Sequence, residues 1–396
     1  MSDALPFLDL ADPAFSTRGQ EMQAARAARW CAKTPFGLAV LRYREVGQIL
    51  RDRRFRQGSH NWPETVGIKG TFAEFWKGSV IGREGDAHQK LRALAVPALS
   101  EGFVLGLKPA FDQVARDLCT DLRQKDCCEF QSAFSTPFAG QAITTLLGME
   151  RDAWPVIAHN AADLGLAMSL GAKQYEARCN AACETLFELA NQLVTKVRSG
   201  RDDTSYVARM VAEFDQNADC THEELLNTIV ISIFGGVDTT RALLGLGLSL
   251  FIDAPDQWQK LRDDATLIPA AIEEFIRARP TTTWATRQAL EDIEMNGQVI
   301  SKGTVLHLLV HASARDPQVC DTPDFDITAK RKRHFGFGGG AHHCIGHFVA
   351  RTDIASALGA LRQTFASIAY DGPPDWLPDS GNTGAHRLPI RYEVST

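Results

Sequence analysis

Residues 337–346 read Phe337-Gly338-Gly339-Gly340-Ala341-His342-His343-Cys344-Ile345-Gly346, and the rest of the chain is understood from them. Three glycines ahead of two histidines and a cysteine admit four kinds of chemistry. A phosphate-cradling loop fails, because no strand precedes the glycines and no Lys-Ser/Thr pair follows them. Zinc could draw on His342, His343, Cys344 and His347, but the run lacks paired C-x-x-C spacing. Three sequence neighbours also cannot all converge on one tetrahedral ion. Covalent haem attachment wants a second cysteine with its following histidine. The fourth reading is one cysteine thiolate ligating haem iron. That chemistry needs a low-pKa sulfur in an open loop whose backbone N–H groups point at it. Glycines let the backbone approach sulfur and porphyrin, and a position just before a helix adds free N–H groups and positive dipole.

Outward from this run, apolar spacing predicts an amphipathic helix from about Gly346 to Phe365, then a Pro/Gly-rich tail ending in a short strand. Upstream, residues 284–311 alternate as strands, with Asn296-Gly297 as a type I′ hairpin signal. Pro269 opens a helix through Arg279 that Pro280 closes. Thr221-His222-Glu223-Glu224 is a capping-box start, and apolar periodicity continues from it to about Phe251. About 30 residues at 1.5 Å give on the order of 45 Å, enough to cross a domain. Its middle, Phe234-Gly235-Gly236-Val237-Asp238-Thr239-Thr240, is costly. Each Gly loses up to about 1 kcal/mol relative to Ala, and the hydroxyls compete for backbone partners. A helix that tolerates this has something packed against it. Asp86 to Arg262 is mostly helical, and residues 38–51 read as a strand running into a helix. Residues 58–85 mix Gly, Pro and aromatics, including Trp62, Phe72, Phe75 and Trp76, which predicts a long irregular segment. Helices dominate and strands cluster late, so the fold class is mainly α (α+β).

At 396 residues the chain can bury a large core without disulfide or metal staples. Its 44% hydrophobic and 23% charged residues exclude disorder, collagen and coiled coil. A net charge of −6 argues against a sequence-independent nucleic-acid binder. No apolar run is expected to reach the roughly 20 residues that span a bilayer. Met-Ser-Asp-Ala-Leu-Pro lacks the basic and apolar regions of a secretory signal, so a cytoplasmic protein is expected. Eight of the nine cysteines read as reduced thiols without paired spacing.

The decisive run resembles the haem-binding signature F-x-x-G-x-[HR]-x-C-x-G of the cytochrome P-450 superfamily, with Phe337, Gly340, His342, Cys344 and Gly346 in the specified places. The resemblance extends from about residue 38 to the end. It implies a single P-450 haem domain over 1–396, helix-rich with small β-sheets around a buried haem b. Within it lie an N-terminal segment (1–37), a substrate-access loop (58–85) and a haem-ligand loop (337–346), with Cys344 as axial ligand. Gly235-Gly236-Val237-Asp238-Thr239-Thr240 matches the distal-helix motif. Small Gly235 would let haem and dioxygen lie close, Thr239 would hold the oxygen's hydrogen-bond network, and Asp238 would relay protons. Arg241 right after the motif is less usual. Glu274-Phe275-Ile276-Arg277 matches E-x-x-R, a pair on one helix face that would support the Cys loop. His88 and Arg92, Arg287 and His342 stand where the family contacts haem propionates. Ala314 replaces a typical Asn in Ser313-Ala314-Arg315-Asp316-Pro317, and Val349 a usual Leu.

The implied activity is monooxygenation, one oxygen atom of O2 entering a small hydrophobic substrate. The pocket would be lined by Ile231, Phe234, Thr283, Trp284 and Ala285, with Phe75 and Trp76 in its lid. Lys330, Arg331, Lys332 and Arg333 form a basic run behind the thiolate, placed to steer an acidic ferredoxin served by an NAD(P)H-dependent reductase. A monomer without nucleic-acid or membrane partners is expected. The rival readings are a peroxide-dependent or redox-neutral haem-thiolate enzyme, and a non-catalytic haem sensor. The Asp238–Thr239 pair favours oxygen activation, because the peroxide and redox-neutral routes need no proton relay.

Overall fold

The computed structural model describes residues 4–169, 171–216, 219–379 and 381–395; the first three residues of the N-terminal segment lie outside it. Its organising element is the helix His222–Asp253. Thr221 caps it as the sequence predicts: its hydroxyl accepts from Glu224 N at 3.2 Å, and the Glu224 carboxylate accepts from Thr221 N at 2.9 Å. The helix touches Gly85–Ala98, Thr136–Leu147, Trp154–Gly165, Glu176–Arg198, Ile268–Ala278 and His347–Thr364. Enclosure on all sides explains why it is apolar almost all round.

By length and composition this helix could cross a membrane, which corrects the expectation that no run would reach that length; 67% of its apolar window is buried inside the protein. The helices Gly85–Ala98 and Glu101–Leu122 meet the same length and composition only as a pair, and that pair is bent by 53°.

Two large cores divide the long helix between them. Its N-terminal half, ending at Val237, packs with Phe72, Phe75, Trp76, Ile143, Leu164 and Leu186. Its C-terminal half, from Leu243, packs with Phe134, Phe275, Ile354 and Phe365. At Gly247 a Cβ would come within 2.3 Å of the Phe275 ring, so the glycine lets the helix Ile268–Ala278 seat that ring. The polar turn Asp238–Arg241 therefore falls at the seam between the cores.

A five-stranded sheet runs Cys31–Thr34, Gly37–Val40, Val305–Leu309, Trp284–Ala289, Phe55–Gln57. Gly37–Val40 and Val305–Leu309 are parallel, the other pairs antiparallel. The register sets Arg287 between Leu306 and Gln57, which aims it beside the Cys loop. The hairpin Ile293–Met295/Gln298–Ile300 turns at Asn296 (φ 47°) and Gly297 (φ 74°), both positive as a type I′ turn demands.

Two expectations are corrected. The last strand of the 284–311 region ends at Leu309, and Val310–Ala314 is helical. Residues 58–85 are not an irregular loop: they contain the helices Trp62–Val66 and Thr71–Gly78. Gly67 and Gly70, at φ 75° and 84°, punctuate them. The Asn180 side chain accepts from Phe72 N at 2.9 Å at the second helix's start. Phe72, Phe75 and Trp76 are buried, and Trp76 Nε1 donates to Ser59 O at 2.7 Å. These aromatics make an amphipathic helix that docks on the core, whereas their glycine-rich surroundings read as loop.

Candidate haem-binding active site

Gly338 and Gly340 sit at φ 69° and 67°, left-handed values that a glycine tolerates. A Cβ on Gly340 would also meet Leu50 O at 2.1 Å, so no larger residue fits there. Gly338 N donates to Phe335 O at 2.8 Å and Cys344 N to Phe337 O at 2.9 Å, which folds the loop back on itself. Gly346 then caps the helix His347–Thr364.

The Cys344 thiol is pushed above its ordinary pKa, first by burial. A hydrogen bond from Gly346 and the charges of Arg92 and Arg351 pull the other way. Without metal, burial outweighs the N–H group and the cations, so a bound metal would have to displace the proton to give the thiolate that the sequence leads one to expect.

Behind the loop, Glu274 and Arg277 form the pair predicted from their spacing, at 2.6 Å and 2.7 Å, each only 3% exposed. Arg277 also donates to Pro323 O and Asp324 O at 3.1 Å. Removing one partner of such a buried pair costs about 3–5 kcal/mol. Arg331 joins them: its guanidinium reaches Glu274 Oε1 at 3.2 Å, Thr322 O at 2.6 Å and Asp324 O at 2.8 Å. This corrects its assignment to an exposed patch, because Arg331 is spent on the clamp while Lys330, Lys332 and Arg333 stay exposed.

The sequence reading missed a second clamp. Glu273 accepts from Arg351 Nε at 2.6 Å and meets His334 Nε2 at 3.1 Å. Arg351 lies 4.5 Å from the Phe337 ring centroid, a cation–π contact within the signature itself. Burial would raise the Glu273 pKa, but His334 and Arg351 hold it near 2. The signals were the Glu273-Glu274 doublet and an arginine two turns past Cys344.

The expected propionate residues converge. His88 is 1% exposed, its Nε2 has no partner among the described residues, and its ring centroid lies 4.1 Å from that of His342. Burial, then His342 and Arg92, lower its pKa to about 4, so the ring is neutral at pH 7. Arg92 Nη1 donates to His343 O at 2.9 Å, and Arg287 Nη2 to Gly339 O at 3.2 Å. Glu84, unnoticed in the sequence, accepts from His342 Nε2 at 2.9 Å and from Gln57 N. Burial opposes its ionisation, yet His342 and Gln57 bring its pKa to about 2.

On the distal side, Gly235 and Gly236 differ. Nothing lies within 4 Å of a Cβ on Gly235, whereas one on Gly236 would meet Ile143 Cδ1 at 2.8 Å. Gly235 faces open space; Gly236 seats a neighbouring helix. The Thr239 hydroxyl donates to Gly235 O. Asp238 Oδ1 accepts from Arg241 Nη2 at 2.9 Å, with both side chains under one-fifth exposed, which accounts for the unusual arginine. Thr240 Oγ1 donates to Asp353 Oδ2 at 3.1 Å, and burial pushes the Asp353 carboxyl to about 8. Asp353 was legible as an acid one turn from both Val349 and Ala357 on a buried helix face.

The substrate-lining candidates are not gathered in one place. Phe75, Trp76, Ile231 and Phe234 share one core, while Ala285 packs in the sheet's core and Trp284 beside another. The Thr283 hydroxyl, expected to offer polar contact, donates to Gly381 O at 3.0 Å.

These residues fit an anionic macrocycle: an orphaned buried imidazole nitrogen at its carboxylates, two arginines beside it, open space at Gly235 and one cysteine to face it. Comparison with known proteins agrees. The profile of the family described as Cytochrome P450 matches residues 159–395. A luteothin monooxygenase from Streptomyces thioluteus is 32% identical over 395 residues, covering 98% of this chain and 96% of that protein. The crystal structure of CalO2 superposes with a TM-score of 0.87 at 24% identity, over 96% of this chain and 99% of that one. P450BioI, solved with a hexadecenoic-acid-loaded acyl carrier protein, gives 0.86 at 25% identity, over 94% and 97%.

The chain belongs to the cytochrome P-450 family. It is a haem-thiolate monooxygenase, whose family binds iron protoporphyrin IX through a cysteine.

Proposed function

We propose that Cys344 is the axial thiolate, that Asp238 and Thr239 carry protons to the distal side, and that a small hydrophobic substrate is oxidised there. The observation that carries this reading is the set around His88, Arg92 and Arg287, with Cys344 in the adjoining loop and open space at Gly235. Haem, when bound, supplies dioxygen activation and oxygen transfer to a C–H bond.

The protein's part is positional. Glu273 and Glu274, neighbours on one helix, hold Arg351 and Arg277 and thereby the loop that presents the Cys344 sulfur. His88, Arg92, Arg287 and His342 orient the carboxylates. Asp238 takes a proton on its carboxylate at the seam between the cores, and Arg241 fixes that carboxylate's direction. The Thr239 hydroxyl, which donates to Gly235 O in this state, turns to pass the proton into the open space beside Gly235.

Electrons come from a separate ferredoxin with its NAD(P)H-dependent reductase. Exposed Lys330, Lys332 and Arg333 support this, because a basic face behind the sulfur steers an acidic donor. We place the enzyme in the cytoplasm as a monomer. The test is Cys344→Ser: it should abolish the red-shifted Soret band of the reduced carbon monoxide complex, and persistence of that band would overturn the ligand assignment.

A further inference from the structure

A cavity of about 420 Å³ opens between the N-terminal segment, Arg279, Pro280 and Thr283 after the helix Ile268–Ala278, and the C-terminal residues 376–379 and 383. Its charged walls are Arg18, Arg279 and Asp379, and Trp376, Leu246 and His311 complete the surface used here. From these groups we infer a second binding site, distinct from the haem pocket, for a small organic carboxylate with an apolar body.

Among the residues that line the cavity the charges do not balance. Arg279 stands 4.0 Å from the Trp376 ring centroid and donates to Ser249 Oγ. Neither Arg279 nor Arg18 forms a salt bridge among the described residues. Burial, then repulsion from Arg18, lowers the Arg279 pKa to about 10, which leaves it charged at neutral pH. Asp379 is the one carboxylate on the wall, and its Oδ2 already accepts from Ser16 Oγ at 3.1 Å and from Thr17 N at 3.2 Å. Asp253, the other acid near Arg279, lies outside the cavity and is engaged by the Tyr370 hydroxyl at 3.0 Å. His311, with Nδ1 on Thr17 Oγ1 at 2.8 Å, is held neutral by burial. On the wall itself two guanidiniums face one carboxylate. Asp253 offsets Arg279 in part from outside, but no carboxylate among the described residues takes up the N–H donors of Arg18 or Arg279. An incoming carboxylate can engage them.

Geometry sets the rest of the ligand. A guanidinium presents paired N–H donors to a carboxylate, and Trp376 and Leu246 offer apolar area to the remainder. Arg18 is exposed and projects from a segment just before the helix Gln20–Ala28. It can therefore close over a ligand or be replaced without disturbing a core.

The experiment is calorimetric titration of the haem-loaded enzyme with octanoate and with octanamide, the Soret band being followed in parallel. Octanoate should bind without moving that band, and octanamide about ten-fold more weakly. Arg18→Gln should weaken octanoate by about five-fold, and Arg18→Lys should restore it. Equal affinity for acid and amide, or an unchanged affinity in Arg18→Gln, would overturn the inference. A Soret shift that tracks octanoate occupancy would also do so, by placing the ligand in the haem pocket.

Discussion

Thr239 and Asp238 are neighbours in sequence but differently employed. Asp238 is pinned by Arg241 on its own helix, and among the described residues the Thr239 hydroxyl is tied only to the carbonyl one turn back. A hydroxyl held by one local bond can rotate away from it. If Thr239 delivers protons, Thr239→Ala should keep haem and fold. Product formed per NAD(P)H should then fall by at least about ten-fold, with the electrons appearing as hydrogen peroxide. Measuring product and peroxide together checks this; an unchanged yield would exclude Thr239 from the relay. The motifs that hold Thr239, Asp238 and Cys344 were legible because the chemistry proposed for them needs those residue types at fixed spacing. Glu84 was not, because a single acid carries no pattern, and Glu273 showed only as half of the Glu273-Glu274 doublet. Each gains its role from a histidine or arginine 61–258 positions away.

Within the long helix the two glycines separate site from packing. Gly235→Ala adds a methyl where there is only open space and removes a helix penalty of about 1 kcal/mol. The haem-free protein should melt at the same temperature or higher, while haem uptake or substrate-induced spectral change weakens. Gly236→Ala drives a methyl into Ile143. Ile143 Cδ1 is the end of a side chain that can turn aside, and the same helix gain offsets the crowding. The variant's signature should be a melting temperature close to the parent's with ligand spectra preserved. Thermal melts of the haem-free variants beside ligand titrations of the loaded ones distinguish the two. The long helix itself was readable from its capping box and periodicity. The helices Trp62–Val66 and Thr71–Gly78 were not, because at five and eight residues they are too short for periodicity to outvote the glycines and proline around them.

Across the whole molecule, Asp353 ties the helix behind the Cys loop to the distal helix through Thr240. Its pKa is raised by burial from an ordinary 3.8 to about 8. The folded state therefore holds this proton more tightly than the unfolded chain does. That contribution to stability is complete below about pH 4 and is lost as pH rises through about 8. Asp353→Asn should flatten the fall in melting temperature between pH 6 and 9, leaving the haem spectrum unchanged at pH 7. A variant melting profile parallel to the parent's would show that the carboxyl is not buried as a neutral acid. The mainly helical class with late strands was legible in composition and periodicity. The seam between two cores was not, because it depends on which half of one helix meets which neighbours.

The Cys loop is seated against residues from nearly the whole length of the chain. Gly340 closes on Leu50 and His342 on Glu84, 258 positions earlier, while Arg351 reaches back to Glu273. Synthesis proceeds from the N-terminus, so Leu50 and Glu84 emerge from the ribosome long before the residues that complete their contacts. The early helices must wait with that surface uncovered until those residues emerge. Completing this cradle therefore depends on contacts of high sequence separation, which form slowly in protein folding.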